Sequence, residues 1–227
     1  MDRRIEIIHE DDHILVCHKY PGIPVESADL SKKDMMGELS RYLKGAPLYM
    51  IHRLDQPVEG LVVFAKDKPS AAALSKAVSA EGMNKIYLAE VYGNRLKGSG
   101  ELTDYVKKSG SGNVSVIAAE NDATAMEAKL EYAVLACRER TSLIKIRLHT
   151  GRHHQIRLQM SNAGAPILGD RKYADEETKR YSEEQGIKEI RLCACRLEFI
   201  HPATSQKTDL KIAPAWCFTY PGVSDRL

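Results

Sequence analysis

Apolar and polar residues alternate with a period of two along much of the chain, which predicts strands more often than helices. RIEIIHE (4–10) alternates, and HILVCHK (13–19) is a short apolar run ended by Pro21-Gly22. Together they predict a hairpin turning at Asp11-Asp12. PLYMIHRLD (47–55) and GLVVFAK (60–66) read as two strands, and NKIYLAEVYG (84–93) as another. MEAKLEYAVLAC (126–137) and SLIKIRLHT (142–150) alternate on either side of RERT, a hairpin pattern. RLCACRLEFIHP (191–202) and KTDLKIAP (207–214) form a closing strand pair around the turn ATSQ.

Helical punctuation is sparser. KKDMMGELSRYLKG (32–45) predicts a short helix that Gly45 terminates. KPSAAALSKAVSAEG (68–82) carries Pro69 at its start, an alanine-rich body and Gly82 just past its end. HHQIRLQMSNAG (153–164) predicts a third helix, entered through Thr150-Gly151 and stopped by Gly164 and Pro166. Residues 94–125, with Gly and Ser at 98–100 and 109–112, predict a surface excursion with short strands at most. Residues 174–189 are polar and helix-prone, a solvated insertion. No repeat or linker divides the chain, so the expectation is one α+β domain, residues 1–227, on a mixed, largely antiparallel sheet with flanking helices.

The end of PLYMIHRLD holds charges where a strand would enter a core. On a strand, Arg53 and Asp55 share one face while Leu54 points to the other. Pro57 forces Gln56 into an extended shape and ends the ladder. Asp55 then sits at a rigid strand tip, a placement that suits a nucleophile or a base. An Arg–Asp pair that fixes a strand end explains the same spacing.

In HHQIRLQM, Ile156 and Met160 make an apolar i, i+4 contact and Arg157 lies on the adjacent flank. A half-buried arginine needs an anion, and a strand-end aspartate such as Asp55 would be kept ionised by it. A solvated helix arginine is the bland alternative. Histidines 149, 153 and 154, with His52, His201 and Asp55, raise a metal reading. His153 and His154 are adjacent, however, and point about 100° apart on a helix. No recognised ligand spacing appears, so these histidines read as hydrogen-bonding or phosphate-contacting groups. Lys85 and Tyr87 share a strand face, and a lone strand tyrosine is by default a core residue with a bonded hydroxyl.

Composition narrows the class. With 227 residues, 43% hydrophobic and 28% charged, the chain can bury a core without disulfides. Five cysteines at irregular spacing argue for a reducing, cytoplasmic setting. The N-terminus lacks the apolar stretch of a signal peptide, and no apolar run reaches membrane-spanning length. A net charge of +2 is too small to hold nucleic acid by bulk charge, so any such role needs a local basic surface.

These pieces, in order, resemble the RluA-type pseudouridine synthases. HRLD (52–55) with Gly60 and FAK looks like the family's catalytic motif, and KIYLAEVYG (85–93) like its tyrosine strand. TGRHHQIR (150–157), GAPILGDRKY (164–173), HPATSQ (201–206) and EDDHILVCHKYPG at the start also fit. The resemblance runs from about residue 6 to 213. Departures are Val58-Glu59 where Thr-Ser is common, Cys193 where a histidine is usual, and a proline moved by one place in KYPG.

The resemblance implies an enzyme that isomerises uridine to pseudouridine in ribosomal or transfer RNA, without cofactor or metal. It would act as a cytoplasmic monomer, with a central RNA-binding cleft and no N-terminal S4 module. Asp55 would be the essential carboxylate, attacking C1′ or removing a C2′ proton. Arg157 would keep it ionised, and Tyr87 would stack on the uracil and help remove the C5 proton. Arg53 would fill the space left by the extruded nucleotide. Leu192 would pack near the uracil, and Arg152 and His154 would contact the RNA. A non-catalytic RNA-binding protein on the same fold is the alternative, and a histidine-rich metal hydrolase a weaker third reading.

Overall fold

The computed structural model describes residues 1–29, 31–80, 82–110, 113–220 and 223. They fall into two compact units, residues 1–85 with 194–212 and residues 86–193 with 213–227. Strands β5 (Asn84–Tyr92) and β10 (Leu192–Ile200) contribute residues to both. The fold is α+β on a mixed sheet, as the alternation predicts.

In the first unit, β1 (Ile5–Glu10) and β2 (Ile14–Lys19) form the expected antiparallel hairpin. The Asp11 carboxylate closes its turn by accepting the His13 and Ile14 N–H groups at 2.7 and 2.8 Å. β2 then pairs antiparallel with β4 (Glu59–Ala65), and the two-residue β3 (Tyr49–Met50) also pairs with β4. Every residue of β2 is buried, because this strand lies inside the layer and not at its rim. Helix α1 (Met35–Tyr42) starts on Asp34, and α2 (Lys68–Ser79) on Asp67, whose carboxylate accepts the Ser70 N–H. Leu74 of α2 packs into a core of Ile14, Val16, Leu61, Val63 and Phe199. β11 (Lys207–Lys211) pairs with β10, and at the turn beyond β10 His201 Nε2 lies 2.9 Å from Asp11.

The second unit is built on an antiparallel run β9 (Thr141–Leu148), β8 (Met126–Cys137), β6 (Ser99–Lys108) and β7 (Ser115–Ala118). Helix α3 (Gln155–Asn162) sets Leu158 against Val106 and Ala128. Helix α4 (Glu176–Glu184) is capped by Asp175. Near the C-terminus, Tyr220 is buried and its hydroxyl meets Glu90 and Thr141 at 2.9 and 2.6 Å.

Four expectations are corrected. Residues 99–108 form a ten-residue strand where short strands at most were expected, while the short strand 115–118 fits; polar inward positions hide the alternation of the longer one. The strand expected over 47–55 is regular only at Tyr49–Met50, and 51–55 run on without a ladder, which leaves the Asp55 backbone to be held by other means. Helix α3 does not enter through Thr150-Gly151; it starts after His154, which takes a left-handed conformation with φ of 56°. The 174–189 segment is not wholly solvated, since Thr178 and Ser182 are buried and Ser182 Oγ accepts the Gly169 N–H at 3.1 Å.

Candidate active site

Alternation survives at the site although the ladder does not. Arg53 is exposed, Leu54 is buried at 6% exposure and Asp55 is half-buried. Leu54 and Val58 anchor the segment on either side of Asp55. The turn is closed by the Val58 N–H donating to the Asp55 carbonyl at 3.0 Å. Gly22 supplies a second tie: its N–H donates to the Gln56 carbonyl at 2.9 Å, and Gln56 Nε2 donates back to the Gly22 carbonyl at 3.1 Å.

The third tie is Lys19. Its fully buried ammonium donates to the Val58 carbonyl at 2.6 Å, the Gln56 carbonyl at 2.9 Å and the Tyr20 carbonyl at 3.4 Å. Burial pushes its pKa down to about 7, against the opposing pull of the Asp55 and Glu59 charges. Glu59 itself is bound to His18, with Oε1 2.9 Å from Nε2 and both side chains largely covered. The departure from Thr-Ser therefore brings a paired carboxylate, not a loose one.

A side-chain bond fixes the segment to β4, and a glycine lets β4 approach β10 closely. His52 Nε2 accepts the Val63 N–H at 3.3 Å, so that nitrogen carries no proton. Burial and the Lys85 charge hold its pKa at about 3. Gly60 has a φ of +141°, and a Cβ there would lie 2.5 Å from both Cβ and N of Ala194. Glycine is required where the main chain runs this close to its neighbour.

In the second unit, Arg157 is buried at 4% side-chain exposure and forms a two-pronged pair with Asp170. Nε lies 2.8 Å from Oδ2 and Nη2 2.7 Å from Oδ1. Asp170 Oδ1 also accepts the N–H groups of Lys172 and Tyr173 at 2.9 and 3.3 Å. The Tyr173 ring lies under the guanidinium, 5.2 Å from its carbon to the ring centre. Residues 155–160 of α3 are all buried, so the helix is enclosed and Arg157 is no solvated surface cation. Gln155 and Gln159 satisfy their amides on Thr150, Lys129 and Ala128.

Histidines 149, 153 and 154 each have a polar partner, and the rings of His153 and His154 stack with centres 3.7 Å apart, where a helix would have turned them away from each other. His149 Nε2 is 2.9 Å from Glu131, His153 Nδ1 is 2.9 Å from Ser115 Oγ, and His154 Nδ1 is 2.8 Å from the Tyr173 hydroxyl. Among the described residues no set of three His, Cys, Asp or Glu side chains is arranged to hold a metal ion. Arg152 is half-buried, with Nε donating to the Glu127 carbonyl at 2.8 Å, whereas His154 is buried. Tyr87 and Leu192 are buried on β5 and β10, at 6% and 3% exposure.

Sequence reasoning missed Lys19, Asp170 and Tyr173. Lys19 ends an apolar run as a lone cation before Pro21-Gly22, and the GDRKY segment offers an acid and a tyrosine 13 and 16 residues after Arg157 (170 − 157 and 173 − 157). Those were the available signals.

The family model for RNA pseudouridylate synthases matches residues 13–162, a span that contains Arg53, Asp55, Tyr87, Arg152, His154 and Arg157. The tRNA pseudouridine synthase C of Pasteurella multocida is 32% identical over 217 residues, 89% of this chain and 88% of that protein. The dual-specificity RNA pseudouridine synthase RluA of Vibrio cholerae is 30% identical over 237 residues, 100% of this chain and 88% of its own length. Among solved structures, human RNA pseudouridylate synthase domain containing 4 shares the fold with a TM-score of 0.75 at 24% identity, covering 92% of this chain and 89% of that one.

The chain belongs to the RNA pseudouridylate synthase family. It is an isomerase acting on RNA, and this reading stands over that of a non-catalytic RNA-binding protein.

Proposed function

We propose that Asp55 is the carboxylate that carries out the isomerisation, on uridines of ribosomal or transfer RNA. The observation that supports this most is the triple main-chain clamp on the turn after Asp55, from Val58, Gly22 and Lys19. A side chain held in place without a strand ladder suits a group that must meet a reacting atom.

The reaction breaks the N1–C1′ bond, turns the uracil and joins C5 to C1′. The proton lost from C5 balances the one gained at N1, so nothing is oxidised and the chemistry asks for no cofactor or metal. Asp55 takes part as an anion, either forming a bond to C1′ or accepting the C2′ proton. Arg157 keeps that anion charged, and Tyr87 stacks on the uracil and assists loss of the C5 proton. Arg53 enters the space of the extruded nucleotide, Leu192 packs near the uracil, and Arg152 and His154 contact the RNA. Both units act as one catalytic domain, a reading supported by a family match that spans residues of each.

Relatives named for transfer RNA, for ribosomal large-subunit RNA and for dual specificity support RNA of either kind as substrate. The reading takes it as a cytoplasmic enzyme working as a monomer; among the described residues no helix is long and apolar enough to cross a membrane. Pseudouridine mapping of cellular RNA with and without the gene identifies the substrate. Loss of a ribosomal or transfer RNA site on deletion is the expected result, and an unchanged map would refute it. Single-turnover assays of Asp55→Asn test the residue itself.

A further inference from the structure

A cavity of about 500 Å³ opens in the second unit, between the loop 169–171, the later turns of α4 and the turn that follows that helix. Its frame is tightly bonded. Gly169 has a φ of +75°, and a Cβ there would collide with the Glu189 carbonyl oxygen. The Ser182 hydroxyl accepts the Gly169 N–H and donates to the Thr178 carbonyl at 2.7 Å. The Ile187 N–H closes the turn after α4 on the Ser182 carbonyl at 2.8 Å, and Arg171 Nη2 donates to the Lys188 carbonyl at 3.4 Å.

The charge of the lining is one-sided. Arg171, Lys179 and Lys188 bring three cations from the loop, the helix and the turn. Lys179 pairs at 2.7 Å with Glu176, a carboxylate 90% exposed, and such a pair is easily given up. Among the described residues no carboxylate lies within 4 Å of the Arg171 or Lys188 side-chain nitrogens. Of the two acids in the lining, Asp170 is engaged by Arg157 and almost wholly covered. Glu183 is exposed, and among the described residues its carboxylate has no partner. The C-terminal end of a helix carries partial negative charge. Here the Tyr181, Ser182 and Glu183 carbonyls are taken by the N–H groups of Gln185, Ile187 and Gly186, so the side chains set the sign.

The rest of the lining narrows the occupant. Among the described residues no aromatic side chain lines the cavity, and Ile187 is its one apolar side chain. A base has no ring to stack on, and a protein partner has no apolar recess for an anchoring side chain. The volume suits the sugar and phosphate of a nucleotide. An isomerase acting on RNA with a net charge of +2 must hold its polyanion through local cations, and these are available.

We propose that this cavity binds the sugar–phosphate backbone of RNA, with a phosphate on Arg171, Lys179 and Lys188 and a ribose 2′-hydroxyl donating to Glu183. The contact carries no base sequence, and its carboxylate distinguishes RNA from DNA. It does not depend on which residue reacts with the uridine.

The test uses the whole chain and a transcribed transfer RNA as probe. Dissociation constants are read by filter binding over a range of salt concentrations, with melting temperature alongside. The triple variant Arg171→Gln/Lys179→Gln/Lys188→Gln should bind at least about tenfold more weakly, the size of one charged hydrogen bond. Its slope of log affinity against log salt should be shallower by about 1. Lys211→Gln, which removes an exposed charge of β11 in the first unit, should change neither. The same sequence made as DNA reads the acid: the ratio of RNA to DNA affinity should fall at least about threefold in Glu183→Ala.

A folded triple variant with wild-type affinity and salt slope overturns the proposal. So does an equal loss in Lys211→Gln, which would reduce the effect to net charge. An RNA-to-DNA ratio that Glu183→Ala leaves unchanged overturns the ribose contact. Uridine monophosphate separates a free nucleotide from the polymer: calorimetric binding that the triple change abolishes, with RNA affinity untouched, would also overturn the proposal. Should the triple variant fail to fold, Arg171→Gln alone decides, and a wild-type salt slope in it counts against the cavity.

Discussion

Asp170 grips Arg157 with both carboxylate oxygens, at 2.8 and 2.7 Å, and the two side chains are almost wholly out of water. Removing the acid takes both of these charge-assisted bonds from a buried guanidinium. Asp170→Ala should therefore lose about 3–5 kcal/mol of stability, the usual cost of breaking one side of a buried pair. Urea unfolding with tryptophan or circular-dichroism detection reads this directly. A change under about 1 kcal/mol would mean that Arg157 does not depend on Asp170 for its burial.

Asp55→Asn keeps shape and removes charge. Pseudouridine formation should be lost essentially completely, while melting temperature and RNA affinity stay close to wild type. The turn would survive because three of its ties run through main-chain atoms of Gln56 and Val58. RNA affinity would survive because phosphate contacts dominate it. A folded variant that turns over at near wild-type rate would end the assignment.

Tyr87→Phe isolates one hydroxyl on a buried ring. Turnover should drop by about a hundredfold, the lower range of a general acid–base contribution, with binding almost unchanged. Equal turnover by the two proteins would reduce Tyr87 to a packing residue.

His52 makes stability depend on acid. Its folded pKa of about 3 lies below the ordinary 6.5, so the unfolded chain takes up a proton that the folded chain refuses. The contribution is complete above pH 6.5 and is lost progressively as pH falls toward 3, at a slope of up to about 1.4 kcal/mol per pH unit. His52→Asn keeps an acceptor for the Val63 N–H and has no proton to bind. The difference in unfolding free energy between the two proteins should shrink from pH 6.5 to 5; a constant difference would show that His52 titrates normally.

Strands with alternation were legible from sequence, as at β1, β8 and β9, because their inward positions are apolar, and β2 was legible as an apolar run buried on both faces. β6 was not, and the reason is specific. Two of its inward positions are Gly100 and Asp104: Gly100 makes room for the Tyr132 ring, whose hydroxyl would lie 2.7 Å from an added Cβ. Asp104 binds Gln159 and Asn162 of α3 at 2.8 and 3.0 Å. Polar service to a neighbouring helix erased the hydrophobic signal. At the site, the local placement of Arg53, Leu54 and Asp55 could be read from alternation. Lys19 and Asp170 could not, since their partners are 37 and 13 residues away in sequence. No local period carries such a pairing.

The lock on Arg157 has a dynamic consequence. Its guanidinium is held in plane by two oxygens of Asp170 and backed by the Tyr173 ring, so it has almost no rotamers left to lose. In water, a cation that meets a growing negative charge must first wait for its solvent shell to turn. This one has surrendered its shell and its freedom during folding. On the role proposed for Arg157, the reorganisation that would slow a mobile arginine is complete before any RNA arrives.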